Sequence, residues 1–301
     1  MRIVDLFCGA GGASEGAKVA GHTVVGAVDW DEKALATYRL NHPGHAVRMD
    51  LRDVDAAAAW LEALAPDCVL ASCPCQDFSQ VNQDLALLEG ERASLTLRTC
   101  ELLARTKPPW FLLENVPRML KSPLWAQGRA LLEAAGYAVE ARVVDANTCG
   151  VCQRRLRVFV CGCRLPGRAG LVREWGAAVG AMKARRKLAV TDVFPGVGAS
   201  YFYQRASRPP CIRRGSQPYL CVRRNSHYRP RSYAARAGDA CAWGPDVRVF
   251  TVGELALIQG FPDTYKWPAG ITARARMLQI ANAVPPPMAR AVLACVPHAA
   301  P

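Results

Sequence analysis

Three groups of residues in this chain could do chemistry. Cys73, Pro74, Cys75 and Gln76 follow an apolar run at 68–72, which puts a thiol on a turn. There, exposure and nearby loop or helix N–H groups can lower a thiol toward the thiolate that acts as a nucleophile. The alternative is a buried structural cysteine, and the spacing is too short for the CxxC redox pattern. Glu114 and Asn115 end the apolar run 110–113, so a carboxyl lies in surroundings that raise its pKa and let it hold or deliver a proton. An exposed strand-end acid is the competing reading. Gln153, Arg154, Arg155, Leu156 and Arg157 open another strand, whose period of two sends Arg155 and Arg157 to one face. That pair suits a phosphate or a polar base edge, although a solvated basic stretch has the same composition.

A further cluster could hold a cofactor. Gly9, Gly11 and Gly12 form a turn between a strand and a helix, where backbone N–H groups can approach a ligand, and Asp29 ends the next strand, where an acid can hold a ribose. The dinucleotide fingerprint asks for a third glycine at position 14, and Ser14 stands there, which disfavours pyrophosphate. Trp30 can stack on an adenine or be ordinary core. Cys149, Cys152, Cys161 and Cys163 have a superficial zinc spacing, but the second pair is a CxC in or just after a strand, and no metal is expected.

The elements that must position these groups are read from periodicity. Strands are expected at 3–7, 23–28, 46–49, 68–72, 110–113, 138–144 and 157–161, with helices to residue 20 and at 32–40, 54–64, 93–105 and about 124–135. Such alternation makes an α/β sheet with mostly parallel strands, and the reactive clusters fall at strand C-termini, where open α/β sheets bind ligands. From 164 to 247 the periodicity fades and Arg, Pro, Ser and Tyr accumulate, as in 205–210 and 223–229, so a second, irregular module is expected. Helices return at 251–259, where Thr251 and Glu254 fit a capping box, and at 273–280 and 287–295.

Composition bounds the function. The 301 residues carry 38 Lys+Arg against 25 Asp+Glu, a formal charge of +13 that favours a polyanionic partner. With 51% apolar and 21% charged residues, the chain is of the globular class and not the disordered one. No window is apolar enough for a membrane helix, and Asp5 interrupts the N-terminus before a signal-peptide core. Thirteen cysteines, an odd number in a long chain, read as reduced thiols in the cytoplasm.

In order along the chain, residues 5–12, 74–76, 114–116, 153–157, 259–262 and 279–285 resemble the blocks of the DNA cytosine-5 methyltransferase family. The resemblance implies a Rossmann-like class I methyltransferase fold with a mostly parallel sheet, in which 1–163 and the C-terminal helices of 248–301 form the catalytic domain and 164–247 a small target-recognition domain. It implies S-adenosyl-L-methionine as cofactor and a cytosine flipped out of double-stranded DNA, because C5 and C6 cannot be reached in the stack. Cys75 matches the nucleophile that adds at C6. Glu114 matches the group that bonds N3 and the exocyclic amine. Arg155 and Arg157 match contacts to the flipped nucleotide, the latter at O2, and Pro74, Gln76, Asn115 and Gln153 match substrate-side positions.

By the same matching, Phe7, Gly9, Gly11, Asp29, Trp30, Asp50, Leu95 and Asn282 fall at cofactor positions, with Asp29 on the ribose, Trp30 on the adenine face and Asp50 on the adenine amine. Arg248 matches an arginine that braces the recognition domain. The arginines of 164–247, with Tyr201, Tyr203, Tyr219, Tyr228 and Tyr233, are expected to contact DNA. Cys73, Cys152 and Ala281 depart from the usual pattern without removing a chemical group. A monomer is expected, with a companion restriction endonuclease as a further partner. Methylation of tRNA is the related enzymatic alternative. A binding-only relative is disfavoured because no catalytic residue is missing, and a nicotinamide dehydrogenase leaves Cys75 and Glu114 without a role.

Overall fold

Seven strands carry the architecture: β1 (Arg2–Leu6), β2 (Thr23–Asp29), β3 (Ala46–Arg48), β4 (Cys68–Ala71), β5 (Trp110–Asn115), β6 (Ala138–Asp145) and β7 (Leu156–Cys163). The computed structural model describes residues 1–44, 46–74, 91–196, 200–203, 211–227, 233–234, 236–245 and 247–297, with backbone only at 91–93 and 184. The strands form one sheet in the order β3-β2-β1-β4-β5-β7-β6. Neighbours from β3 to β5 are parallel, and β7 runs antiparallel to both β5 and β6. Strands β4 and β5 are buried along their whole length, which their unbroken apolar runs require of a sheet covered on both faces.

The helices of the described residues are α1 (Gly12–Val19), α2 (Glu32–Asn41), α3 (Val54–Leu64), α4 (Glu91–Thr106), α5 (Pro123–Ala134), α6 (Arg168–Ala181), α7 (Val190–Val193), α8 (Val252–Gln259), α9 (Ala273–Asn282) and α10 (Pro286–Leu293). One face of the sheet packs Ile3, Leu70 and Leu112 against Ala13 and Ala17 of α1, Trp175 of α6 and Met288 and Val292 of α10. The other packs Val4, Leu6, Val69 and Phe111 against Leu61 of α3, Leu103 of α4 and Trp125 of α5. The C-terminal segment thereby returns to the first motif. A Cβ on Gly12 would lie 2.3 Å from the Val284 carbonyl oxygen, and one on Gly16 would lie 2.4 Å from that of Pro286. The Thr251–Glu254 capping box is present at the start of α8.

Two expectations change in the second part of the chain. Residues 168–181 form a helix whose Val172, Trp175 and Val179 enter the core of the large sheet, so packing with that sheet continues past the boundary drawn at 163. Glycines at 170, 176 and 180 dilute its periodicity, and tertiary burial overrides their weak helix propensity. Beyond it, a three-stranded sheet joins β8 (Ser200–Tyr203), β9 (Cys211–Arg214) and β10 (Val247–Arg248) in the order β10-β8-β9. Tyr201, Tyr203 and Tyr219, expected on the DNA side, are instead buried. Tyr219 stacks on Tyr201 at 5.3 Å and meets Tyr203 edge-on at 5.2 Å, in a core shared with Phe250, Leu255 and Ile280. Aromatic rings here bury more apolar area than an irregular module would otherwise supply. Tyr228 lies outside the described residues. Arg248, on β10, pairs with Glu254 in the first turn of α8, a contact that joins the small sheet to that helix. Among the described residues no helix is long and apolar enough to cross a membrane, and no group of three or more His, Cys, Asp or Glu is placed to hold a metal.

Candidate active site

A cavity of about 910 Å³ opens where β1, β2, β4 and β5 end, walled on its far side by residues 272–284. Its first end is built by the glycine turn. Phe7 takes φ 60°, rare for a residue with a side chain, and Gly9 and Gly11 take 53° and 92°. Nothing lies within 4 Å of a Cβ built on Gly9, so backbone conformation, not space, demands glycine there. At Gly11 both demands apply, since a Cβ would stand 2.7 Å from the Tyr265 hydroxyl and 2.8 Å from His42. Tyr265 donates its O–H to the Ala10 carbonyl, a brace 255 residues away in sequence.

Asp29 ties this turn to the next one: Oδ2 accepts the Gly9 N–H at 2.8 Å and Oδ1 the Asp31 N–H at 2.9 Å. Burial raises its pKa, and those backbone donors oppose the rise. Trp30 is 69% exposed and lines the cavity, so it is not core. Leu95 and Asn282 line the cavity from α4 and the end of α9, whereas Gly11 braces the turn from behind. Asp50 lines the cavity but differs from expectation in its bonding. Its two oxygens accept from the backbone N–H, Nε and Nη2 of Arg52 at 2.6–3.0 Å, and these bonds hold its carboxyl below the usual range. A carboxylate so occupied has little capacity left for an adenine amine unless Arg52, itself half exposed, moves aside.

At the second end, Ser72, Cys73 and Pro74 close β4, and Cys75 and Gln76 lie outside the described residues. Cys73 is buried with its Sγ 3.3 Å from the Thr99 hydroxyl, and burial pushes its thiol up to about 12. It is a poor nucleophile near neutral pH. Glu114 is buried at the end of β5 and accepts from Nε of Arg157 at 2.9 Å. Burial raises its pKa, with Arg157 and then Arg155 opposing.

Arg155 donates through Nη2 to the carbonyls of Ala281 at 3.0 Å and Ala283 at 3.2 Å, and through Nη1 to Sγ of Cys221 at 3.2 Å. Both arginines line the cavity, Arg157 from β7 and Arg155 from the residue just before it, as a period of two predicts. Asn115 and Gln153 are not brought to the cavity lining. Asn115 donates to the Cys73 carbonyl at 3.4 Å and accepts from Val116 N–H at 2.8 Å, so it closes the junction of β4 and β5. Gln153, fully buried, donates to the Ile258 carbonyl and Gln259 Oε1 and accepts the Val222 N–H, riveting β7, α8 and the small-sheet region together. Sequence reasoning missed Arg52, Cys221, Tyr265 and His42, whose partners, Arg52 excepted, come from remote parts of the chain.

The first end fits S-adenosyl-L-methionine in kind. A carboxylate with acceptor capacity left on each oxygen, an open indole face and a turn free of side-chain bulk meet a ribose, a flat base and a nearby backbone. The volume is that of a small-molecule site.

A family model described as C-5 cytosine-specific DNA methylase matches residues 1–174 and 198–297. The type II methyltransferase M.HgiDI of Herpetosiphon aurantiacus is 33% identical over 294 residues, covering 95% of this chain and 90% of its own. M.HindV of Haemophilus influenzae is 29% identical over 305 residues, with 98% and 96% covered. Among solved structures, the S. pombe Dnmt2 methyltransferase superposes with a TM-score of 0.70 at 17% identity, covering 98% of this chain and 97% of that one. At that identity the likeness is one of fold.

Proposed function

The chain belongs to the C-5 cytosine-specific DNA methylase family and is a DNA cytosine-5 methyltransferase, and we propose that it works on a cytosine flipped from duplex DNA through a covalent adduct of Cys75. The observation that carries this reading is the convergence of Glu114, Arg155 and Arg157 at the end of the cavity where Pro74 leads into Cys75.

Carbon 5 of a neutral pyrimidine is a weak nucleophile, so the Cys75 thiolate first adds at C6, forming the S–C6 bond and shifting an electron pair toward C5 and N3. Glu114 meets that shift. Burial favours its protonated form, which donates to N3 while its other oxygen accepts from the exocyclic amine. Arg157, anchored on Glu114, reaches O2, and Arg155 holds the wall beside it. When bound, S-adenosyl-L-methionine supplies an electrophilic methyl group to C5. Loss of the C5 proton then restores the ring double bond as the C6–S bond breaks and the thiolate leaves.

Phe7, Gly9, Asp29, Trp30, Leu95 and Asn282 would hold the cofactor, with Gly11 shaping the turn behind them, and Asp50 would join them once released from Arg52. The positive charge and the exposed Arg214 and Arg224 of the small-sheet region suit phosphates of double-stranded DNA. We read the segment from 182 to 247, beyond the helix at 168–181 that packs on the large sheet, as the recognition module, the protein as a cytoplasmic monomer, and its setting as restriction-modification with an endonuclease at the same site, or solitary methylation.

The test is to express the chain in a host lacking cytosine methylation and map 5-methylcytosine at base resolution, with Cys75→Ala alongside. Methylation confined to one short motif, and its disappearance in Cys75→Ala with cofactor binding retained, is the expected result. An unmodified genome from folded protein, with label entering tRNA instead, would overturn the DNA reading, and turnover by Cys75→Ala would overturn the nucleophile.

A further inference from the structure

Residues 219–222, in the middle of the small-sheet region, lie directly along the head of β7. Tyr219 N–H donates to the Cys152 carbonyl at 2.8 Å, and Arg154 N–H donates back to the Tyr219 carbonyl at 2.7 Å. Val222 N–H then reaches Gln153 Oε1, and the Tyr203 hydroxyl clamps the Cys221 carbonyl at 2.9 Å. With its backbone held from both sides, Cys221 turns its sulfur to Nη1 of Arg155 at 3.2 Å. The other arm of that guanidinium is spent on the carbonyls of Ala281 and Ala283, in the segment that walls the cofactor end. The planar fork of Arg155 is therefore aimed by acceptors from two distant parts of the chain.

We propose that Cys221 is a positioning residue for methyl transfer: its sulfur, delivered by the recognition module, fixes the guanidinium of Arg155 at the cavity wall. This rests on the methylation reading above. The surroundings suit a sulfur acting as an anionic acceptor. Burial by itself would push the thiol up, but Arg155, Arg157 and Arg223 together hold it below the ordinary value. Tyr203 and Tyr219 are the other titratable groups against it, and burial raises both, so they stay neutral beside it. A charge-assisted bond is the stronger kind and the costlier to lose.

The test pairs kinetics with site-resolved alkylation. Cys221→Ala should lower kcat by about tenfold or more, the cost of one bond to a charged group, with KM for cofactor and duplex within about threefold. Cys221→Ser, which keeps a neutral acceptor but not the anion, should recover only part of that loss. Peptide-resolved iodoacetamide labelling of the wild type, in which Cys221 is partly buried, should reach half its rate below pH 9. A Cys221→Ala enzyme within twofold of wild type, equal loss in both variants, or a half-rate pH of 9 or above would each overturn the proposal. A wild type that methylates no duplex would instead remove the functional reading, while the labelling experiment would still report on the sulfur contact.

Discussion

At the end of the cavity proposed for the cofactor, the two carboxylates follow the ends of neighbouring parallel strands and find their hydrogen-bond partners within about twenty residues: Asp29 with Gly9 and Asp31, Asp50 with Arg52. At the base end, Glu114 meets Arg157 across an antiparallel strand, and Arg155 reaches Cys221, Ala281 and Ala283, 66 to 128 residues away. The first end is open, with Trp30 bare to solvent; the second is buried and charged. A ligand that binds and leaves intact needs shape and a few acceptors. A base that must carry developing charge needs fixed ions out of water, and each of those needs a partner to survive burial.

Substitutions at the two ends should therefore separate kinetically. The largest effect is expected from Glu114→Gln, which keeps the shape and loses the ionisable carboxyl. It should lower kcat by about 10²–10³-fold, the range for removing one stabilising group, with cofactor affinity within twofold by calorimetry. Asp29→Ala should do the reverse, weakening cofactor binding by about 10- to 100-fold through lost bonds to a charged group while single-turnover kcat changes little. If Glu114→Gln spoiled cofactor binding, or Asp29→Ala spoiled only kcat, the division would collapse.

Trp30→Ala should cost less, about two- to tenfold in cofactor affinity, as expected for one aromatic stack. Quenching of indole fluorescence by the cofactor, lost in this variant, would check it. The smallest effect concerns the floor beneath the glycine turn. Asp5 is fully buried, accepts from the Ser14 hydroxyl at 2.6 Å and is raised by burial from 3.8 to about 7. Between those values the folded state binds the proton that the unfolded state releases, so stability falls as pH rises from 3.8 to about 7. Asp5→Asn should flatten that stretch of a urea-midpoint curve; an unchanged slope would show that Asp5 does not titrate there.

Much of the fold was legible because apolar runs and caps are local. The expected strands matched the seven observed to within two residues at each end, and the helix at 54–64 matched α3 residue for residue. The capping box at Thr251 declared the start of α8. The helix at 168–181 was not legible, since three glycines blur its stripe and only the sheet behind it rewards Trp175. The tyrosines misled for a related reason: Tyr201 and Tyr219 suit an interface or a core equally well, and only the presence of Phe250 behind them selects the core.

By itself, then, the sequence determined which chemistry is available and on which side of the sheet it gathers, because strand order and parallel direction send the ends of β1, β2, β4 and β5 to one edge. Only the tertiary structure decided how each group is employed. It spent Gln153 and Asn115 on holding the frame, filled Asp50 with Arg52, made Cys73 an inert thiol and gave Arg155 a sulfur to rest on. The physical reason is that burial and hydrogen-bond partnership set a side chain's charge and direction, and both come mostly from residues far along the chain.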